Sequence, residues 1–238
     1  MKRIIPMFLC LASVLAALAQ GTTQIVVPNA LANVEGNSGT SDPFTSSSFR
    51  LQMVFDASQF AIPAGASGRI DRISFRDDGA SAGPVGFSFG GGSIQFSTTS
   101  RTPDSLSPTF ADNIGSDATT VRNGAMPISG LFQSGANPQP FGSGITMTAP
   151  FWYNPQHGNL LLDITGAGGL TIFPGSLDAQ STVGDSVSRV FALNGNSLSG
   201  TADTLGLVTR FDMTVIPEPA TWMLALFGSA ILIFFRRR

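Results

Sequence analysis

The chain has 238 residues, of which 13 are lysine or arginine, 15 are aspartate or glutamate, one is histidine and one is cysteine. Residues 20–216 contain eight arginines, fourteen carboxylates and no lysine, and this acidic balance excludes the basic surface that binding to nucleic acid or to anionic lipid needs. The single cysteine, Cys10, lies near the amino terminus, which excludes disulfides, thiolate nucleophiles and cysteine-bound metals from the rest of the chain.

Residues 1–19 have the layout of a secretory signal peptide. Two basic residues precede an apolar stretch at 4–18, and Ala17 and Ala19 supply the small residues of a cleavage site. A basic start, an apolar core and a small-x-small site are together typical of an exported protein whose leader is removed. We therefore predict cleavage after Ala19, which also removes Cys10.

Short runs with alternating apolar residues fill the segment from 20 to 216. In residues 49–56 every second position is apolar, which is the pattern of a half-buried strand. Residues 205–215 show the same period, and we predict one final strand that runs almost directly into Pro217. The predicted strands are residues 24–27, 49–56, 69–76, 85–89, 93–97, 144–148, 159–164, 169–173, 189–193 and 205–215.

The number of short strands and of turn signals between them predicts the fold class. Glycine- and asparagine-rich turns that separate short strands favour an all-β fold, namely an antiparallel β-sandwich of jelly-roll-like type. Residues 20–216 would form this single domain and are long enough to hold it together without disulfides. We expect residues 116–141 to be the most loop-like segment, and a short helical turn near 102–111.

The carboxyl-terminal tail has three parts, which are the triplet Pro217, Glu218 and Pro219, the uncharged stretch 220–235, and the arginines Arg236, Arg237 and Arg238. Each proline stiffens the triplet because it fixes φ and removes a backbone donor. As a transmembrane helix the uncharged stretch would span about 24 Å, which is short of the ~30 Å hydrocarbon core unless the bilayer thins locally. The terminal arginines would orient such a helix with its carboxyl end in the cytoplasm.

This layout over residues 217–238 resembles the PEP-CTERM sorting signal of exported bacterial proteins. The resemblance implies that the chain is the substrate of an exosortase-type enzyme, which recognises the triplet and cuts there or nearby. It also implies a single-pass intermediate in the inner membrane of a Gram-negative-type bacterium, and then delivery to the cell surface or the extracellular polysaccharide matrix. The short span suits a signal that is held briefly and removed. An ordinary single-pass anchor without cleavage is the alternative.

Residues 20–216 offer few groups with catalytic chemistry. His157, the one histidine, lies in a turn-like stretch and is expected to be a solvated loop residue. Asp77 and Asp78 precede Gly79 and are most simply a turn between strands, while a Ca²⁺ site built from distant loops stays open. We therefore predict no catalytic residue, no metal ligand and no cofactor.

One aromatic cluster, Phe151, Trp152 and Tyr153, admits two interpretations. Alternation along a strand would bury either Phe151 and Tyr153 or Trp152 alone, and we expect the cluster to serve the core in this way. The alternative is a sugar-stacking platform, for which Trp152 is the first candidate. In this alternative, Trp152 is the predicted glycan contact.

Together these features predict an exported envelope or matrix protein with a structural or interaction role, sorted through its tail and not itself an enzyme. Its predicted partners are an exosortase-type enzyme and the inner membrane. The alternative function is a polysaccharide-binding module on the cell surface. An envelope hydrolase is a more distant hypothesis, which would require a cleft with convergent titratable groups.

Overall fold

The computed structural model describes residues 21–79, 85–131, 136–167 and 175–217. The chain in these ranges is all-β, with short 3-10 turns at Asn29–Leu31, Ala57–Gln59, Phe110–Asn113 and Pro155–His157. The strands are β1 (Gly21–Val27), β2 (Ser38–Thr40), β3 (Ser48–Phe55), β4 (Ala66–Phe75), β5 (Val85–Phe89), β6 (Gly91–Thr99), β7 (Thr119–Asn123), β8 (Met126–Leu131), β9 (Ile145–Thr146), β10 (Trp152–Tyr153), β11 (Asn159–Ala167), β12 (Leu177–Ser181), β13 (Val187–Ala192), β14 (Thr201–Asp203), β15 (Leu205–Leu207) and β16 (Thr209–Pro217).

These strands form antiparallel sheets, as the sequence predicted. The five-stranded sheet has the order β1-β16-β4-β10, with β9 also paired to β4. The six-stranded sheet has the order β14-β13-β3-β11-β6-β7. Two smaller sheets, β15-β12-β2 and β5-β8, complete the described pairings. Many neighbours in these sheets are far apart in sequence, so the fold depends on long-range pairing.

The two larger sheets contribute side chains to one hydrophobic cluster. The predicted inner face of β3 is confirmed, because Phe49, Leu51, Met53 and Phe55 are all buried. Phe55 meets Phe211 of β16 in an edge-to-face contact with ring centroids 5.0 Å apart. This geometry is favoured by aromatic pairs, and it joins the centre of one sheet to the centre of the other.

A second, smaller cluster lies on the opposite side of β3. It consists of Val54, Leu106, Phe110, Leu161 and Val190. The segment that carries Leu106 and Phe110 covers this side of the six-stranded sheet. Its 3-10 turn, Phe110–Asn113, overlaps only the end of the range 102–111 in which a short helical turn was expected. Both sides of β3 are therefore buried over part of its length, so the half-buried strand predicted there is wrong for residues 52–55.

A polar network borders the second cluster and ties the covering segment to the sheet. Arg50 donates to both carboxylate oxygens of Asp163, at 3.1 and 2.6 Å. The fully buried amide of Gln52 donates to the same carboxylate and to the carbonyl oxygen of Phe110. Asn113 in turn donates to the Gln52 side chain at 3.0 Å. The side chains of Gln52, Asn113 and Asp163 therefore all have hydrogen-bond partners, as buried polar groups in a stable interior require.

Two details of the predicted organisation are wrong. The segment 205–215 is not one strand, since β15 pairs with β12 while β16 pairs with β1 and β4. Val208 lies at the switch and donates its amide hydrogen to Asp178 O, and both Val208 and Thr209 are buried there. The segment 116–141, expected to be loop, contains β7 and β8.

Several predictions fall outside the described residues. These are the strand at 169–173, the signal peptide at 1–19 with Ala17 and Ala19, and the tail beyond Pro217, including Glu218, Pro219, the helix 220–235 and Arg236, Arg237 and Arg238. The last described strand, β16, ends at Pro217, the first residue of the predicted sorting signal. A helix of sufficient length and apolar character to cross a bilayer is absent from the part of the chain that the structure describes.

Candidate functional site

Trp152 is the large aromatic side chain that the described domain leaves open to solvent on a strand. It lies on the two-residue strand β10 and is 45% exposed, while its neighbours Phe151 and Tyr153 are 4% and 0% exposed. Phe151 stacks on Phe96 and Tyr153 contacts Phe60 edge to face. Of the two alternatives that alternation allowed, the structure has the one in which Phe151 and Tyr153 are buried, and the same alternation turns Trp152 outward.

Arg69 is the cross-strand partner of Trp152 in the β10–β4 pair. Its guanidinium carbon lies 5.8 Å from the centre of the indole ring, within the range of a cation–π contact. The same guanidinium forms a hydrogen bond with Asp71, whose Oδ1 accepts from Arg69 Nε at 2.6 Å. The indole therefore lies beside a positioned charged pair.

A bulge between β4 and β16 brings further polar groups to the same side of the sheet. The register pairs Arg72 with Asp212 but Ile70 with Met213, so β4 contains one extra residue, Asp71. Bulges re-aim side chains in this way. Thr214 donates to Asp71 Oδ2 at 2.6 Å, which fixes the extra carboxylate on the outer side.

The outer side of the five-stranded sheet thus carries Trp152 beside side chains of both charges. Arg72 and Arg210 approach Asp212 at 3.7 and 3.3 Å. We refer to this surface as the Trp152 face, which consists of Trp152, Arg69, Asp71, Arg72, Arg210, Asp212 and Thr214. Sequence periodicity could not identify it, because the bulge shifts the alternation at Asp71 and the partners come from three separate strands.

A shallow cleft of about 280 Å³ adjoins the Trp152 face. It is lined by Arg69, Ile70, Asp71, Met147, Thr148, Ala149 and Pro150. An exposed aromatic surface beside carboxylate, guanidinium and hydroxyl groups offers both stacking and directed hydrogen bonds. This combination suits a ligand with apolar ring faces and hydroxyl edges, as in a sugar chain.

His157 and the pair Asp77 and Asp78 lie elsewhere. His157 is exposed at the end of the 3-10 turn Pro155–His157, in agreement with a solvated loop residue. Asp77 is 1% exposed and forms an isolated bridge with Leu177, so it is not part of a turn, and the turn between strands expected here is wrong for Asp77. Within the described ranges no three His, Cys, Asp or Glu side chains are grouped as metal ligands.

A buried ion pair beside these aspartates escaped the sequence interpretation. Arg76 Nε lies 2.5 Å from Asp178 Oδ2, and both side chains are almost fully buried. Glu35 is close to Asp78, and its carboxylate accepts from the amide of Gly79 at 2.8 Å. Burial is the main factor that raises the pKa of Asp78, followed by the negative charges of Glu35 and Asp77.

The hydrolase hypothesis requires convergent acids in a cleft, and one cleft of about 380 Å³ includes Asp56 and Asp185. Burial raises the pKa of Asp185, which two backbone amides partly offset. Those amides belong to Thr182 and Val187, while Asp56 accepts from the amide of Ser58. Both carboxylates therefore cap local turns, which accounts for their positions without catalysis.

Comparison of this chain with protein-family models, with curated proteins and with solved structures gives no match.

Proposed function

We propose that this chain is an exported envelope or matrix protein, sorted through its PEP-CTERM-like tail and processed as the substrate of an exosortase-type enzyme. The observation that carries the proposal is the three-part sequence of residues 217–238, together with the signal-like residues 1–19. The domain between them is an antiparallel β-sandwich of jelly-roll-like type. This assignment is supported by the hydrophobic cluster that the five- and six-stranded sheets share.

The described end of the domain is compatible with this route. Strand β16 lies between β1 and β4 and continues to Pro217, so the folded domain reaches the first residue of the triplet without a linker. In the membrane-held intermediate the domain would lie outside the inner membrane, with the tail helix oriented by its terminal arginines. Processing would then deliver the domain to the cell surface or the polysaccharide matrix.

Mass spectrometry of the carboxyl terminus of the mature native protein tests this proposal. We expect a mature form that begins near Gln20 and lacks the segment from Trp222 to Arg238. A double variant with Pro217→Ala and Pro219→Ala should accumulate uncut in the inner membrane, while Pro108→Ala, at an exposed proline far from the tail, should mature normally. A native mature form that still carries Trp222 to Arg238 would show an ordinary anchor instead.

We propose polysaccharide binding at the Trp152 face as the second function of the domain. The observation that favours it is that Trp152 is 45% exposed while both adjacent rings are buried, beside a positioned Arg69 and Asp71 pair and a cleft. A residue that stacks on a sugar must expose its ring to solvent. The Trp152 ring is partly exposed, while the neighbouring rings of Phe151 and Tyr153 fill the core. The chain then acts as a binding module and not as an enzyme.

Pull-down with matrix polysaccharide from the host tests this second function. Trp152→Ala should weaken retention roughly tenfold or more, which corresponds to about 1.4 kcal/mol, while Trp152→Phe should retain part of it. Leu198→Ala is the matched control, because Leu198 is 81% exposed and lies outside the Trp152 face. Retention that is equal in the wild type and in Trp152→Ala would remove Trp152 from the binding site.

A further inference from the structure

The two ends of the described domain leave the same end of the five-stranded sheet. Gly21, the first residue of β1, pairs with Val215 of β16. Pro217, the last residue of β16, pairs with Ala66, the first residue of β4. Because β1 and β16 are antiparallel neighbours, the first and the last described residues, Gly21 and Pro217, lie at this same end.

A tight turn lies at the same end. The amide of Ala66 donates to Pro63 O at 3.1 Å, which closes a turn immediately before β4 begins. Pro63, Ala64 and Gly65 are exposed, and Gly65 adopts a φ of 71°, the left-handed conformation that glycine accepts most readily. The turn therefore presents small, uncharged residues next to the point where β16 ends.

Charge is distributed unequally along the five-stranded sheet. Residues 21–23, 63–68 and 213–217, which form the end with Pro217, contain no Asp, Glu, Lys or Arg, and the first charged residue beyond them in the tail is Glu218. At the opposite end Arg76, Asp77 and Asp78 follow β4, and the carboxylates of Glu35 and Asp178 lie close to them, so that four carboxylates are gathered around one arginine. The acidic charge of the domain is thus concentrated away from the Pro217 end on this sheet.

The tether between domain and membrane is short. From Pro217 to Ala220, where the proposed helix begins, there are three residue steps, which reach at most about 11 Å. Strand β16, with nine residues, is roughly 30 Å long at ~3.3 Å per residue. The Pro217 end must therefore stay close to the bilayer, while the acidic end can extend far from it.

We propose that, in the tail-anchored form, the end of the five-stranded sheet with Gly21, the Pro63–Gly65 turn and Pro217 lies against the outer surface of the lipid bilayer. This inference rests on the proposed membrane insertion of the tail. The partner is the phospholipid headgroup region. The Pro63–Gly65 turn has no charged side chain, so its approach to the headgroups neither desolvates a charge of the turn nor brings one close to anionic lipids. The acidic end then faces away from the membrane.

The absence of cysteine after residue 19 makes this orientation measurable. Ala64→Cys at the turn and Ala30→Cys at the opposite end each place one thiol on an exposed alanine. Thr22→Cys, on an exposed residue of β1, provides a second probe at the end that carries Pro217. The signal-cleaved, tail-bearing chain, produced in a host without an exosortase-type enzyme, is labelled with an environment-sensitive fluorophore and reconstituted in phosphatidylethanolamine and phosphatidylglycerol vesicles.

Headgroup-labelled quencher lipids should quench the fluorophore at Ala64→Cys and Thr22→Cys at least several-fold more strongly than at Ala30→Cys. Equal quenching at both ends, or stronger quenching at Ala30→Cys, would overturn the proposed orientation. Alkaline carbonate extraction separates the two proposals. A chain that resists extraction but shows no quenching at the turn refutes the orientation alone, while a chain that is extracted refutes membrane insertion and the orientation with it.

Discussion

Arg76 and Asp178 are separated by 102 positions and meet in the interior, where Arg76 Nε lies 2.5 Å from Asp178 Oδ2. The other carboxylate oxygen accepts from the amide of Gly36 at 2.9 Å, and the guanidinium lies over the ring of Phe141. This pair ties the end of β4 to β12, to the segment before β2 and to the segment that carries Phe141. It is therefore a structural cross-link between parts of the fold that are distant in sequence.

Removal of one partner should destabilise the domain strongly. Asp178→Ala leaves a buried guanidinium without its counter-ion, and we expect a loss of about 3–5 kcal/mol in the free energy of unfolding. The double variant Arg76→Met with Asp178→Leu should recover much of this loss, because no buried charge is left. Denaturant unfolding at neutral pH measures both changes.

The exposed pair Arg69 and Asp71 is the control for this prediction. Its side chains are 41% and 31% exposed, and pairs of this kind contribute about 0–1 kcal/mol. Asp71→Ala should therefore cost far less than Asp178→Ala. Equal losses in the two variants would contradict a special role for burial of the Arg76–Asp178 pair.

Phe151 and Trp152 are adjacent in the chain, but their removal should change the free energy of unfolding by very different amounts. Phe151→Ala removes a buried ring that stacks on Phe96, and we expect it to cost about 3–5 kcal/mol. Trp152→Ala removes an exposed ring and should cost less than about 1 kcal/mol. Thermal and denaturant unfolding of the two single variants tests this difference. A loss for Trp152→Ala as large as that for Phe151→Ala would show that the indole belongs to the core.

Asp78 should make the stability of the domain depend on pH. Its pKa is raised in the folded state, chiefly by burial and then by the charges of Glu35 and Asp77, so the folded state binds the proton more tightly than the unfolded state. The resulting stabilisation is complete below the ordinary pKa of 3.8 and is lost as pH rises through the higher folded pKa.

Asp78→Asn should therefore raise the melting temperature at pH 7, by roughly a few degrees, and this gain should vanish below pH 3.8, the ordinary pKa of the group. Glu35→Gln, which removes one of the repelling charges, should give a smaller gain in the same direction. Scanning calorimetry of the three proteins between pH 3 and pH 7 measures the effect. Parallel pH profiles for wild type and Asp78→Asn would contradict it.

Local sequence patterns predicted the strands whose periodicity is uninterrupted. In β3 alternation identified the side that faces the larger hydrophobic cluster, because each residue faces the side opposite to its neighbour's, but it did not predict that Gln52 and Val54 on the other side are buried too. In β4 the same rule located Ile73 and Phe75 correctly in the core. It could not predict Asp71, because a bulge adds a residue without a signature in the composition.

Long-range pairing accounts for the errors. The alternation in 205–215 is apolar except at Thr209, yet the chain switches from the sheet of β12 to that of β1 and β4 at Val208. Short β-strands such as β7 lack a strong pattern of their own and are stabilised by the neighbour with which they pair. Sequence periodicity predicts which face of a strand is apolar, but it does not predict which strands pair with it.

The sequence by itself determined the composition of the domain, its freedom from cysteine after residue 19, its β-strand character, and the signal-like and tail segments on which the proposed sorting rests. These are local or compositional properties, and each can be read within a few residues. Only the tertiary structure decided that Trp152 is outward beside Arg69, that Arg76 meets Asp178, and that Gly21 and Pro217 lie at one end of one sheet. Those relationships arise from hydrogen bonding and packing between distant segments, which no local pattern encodes.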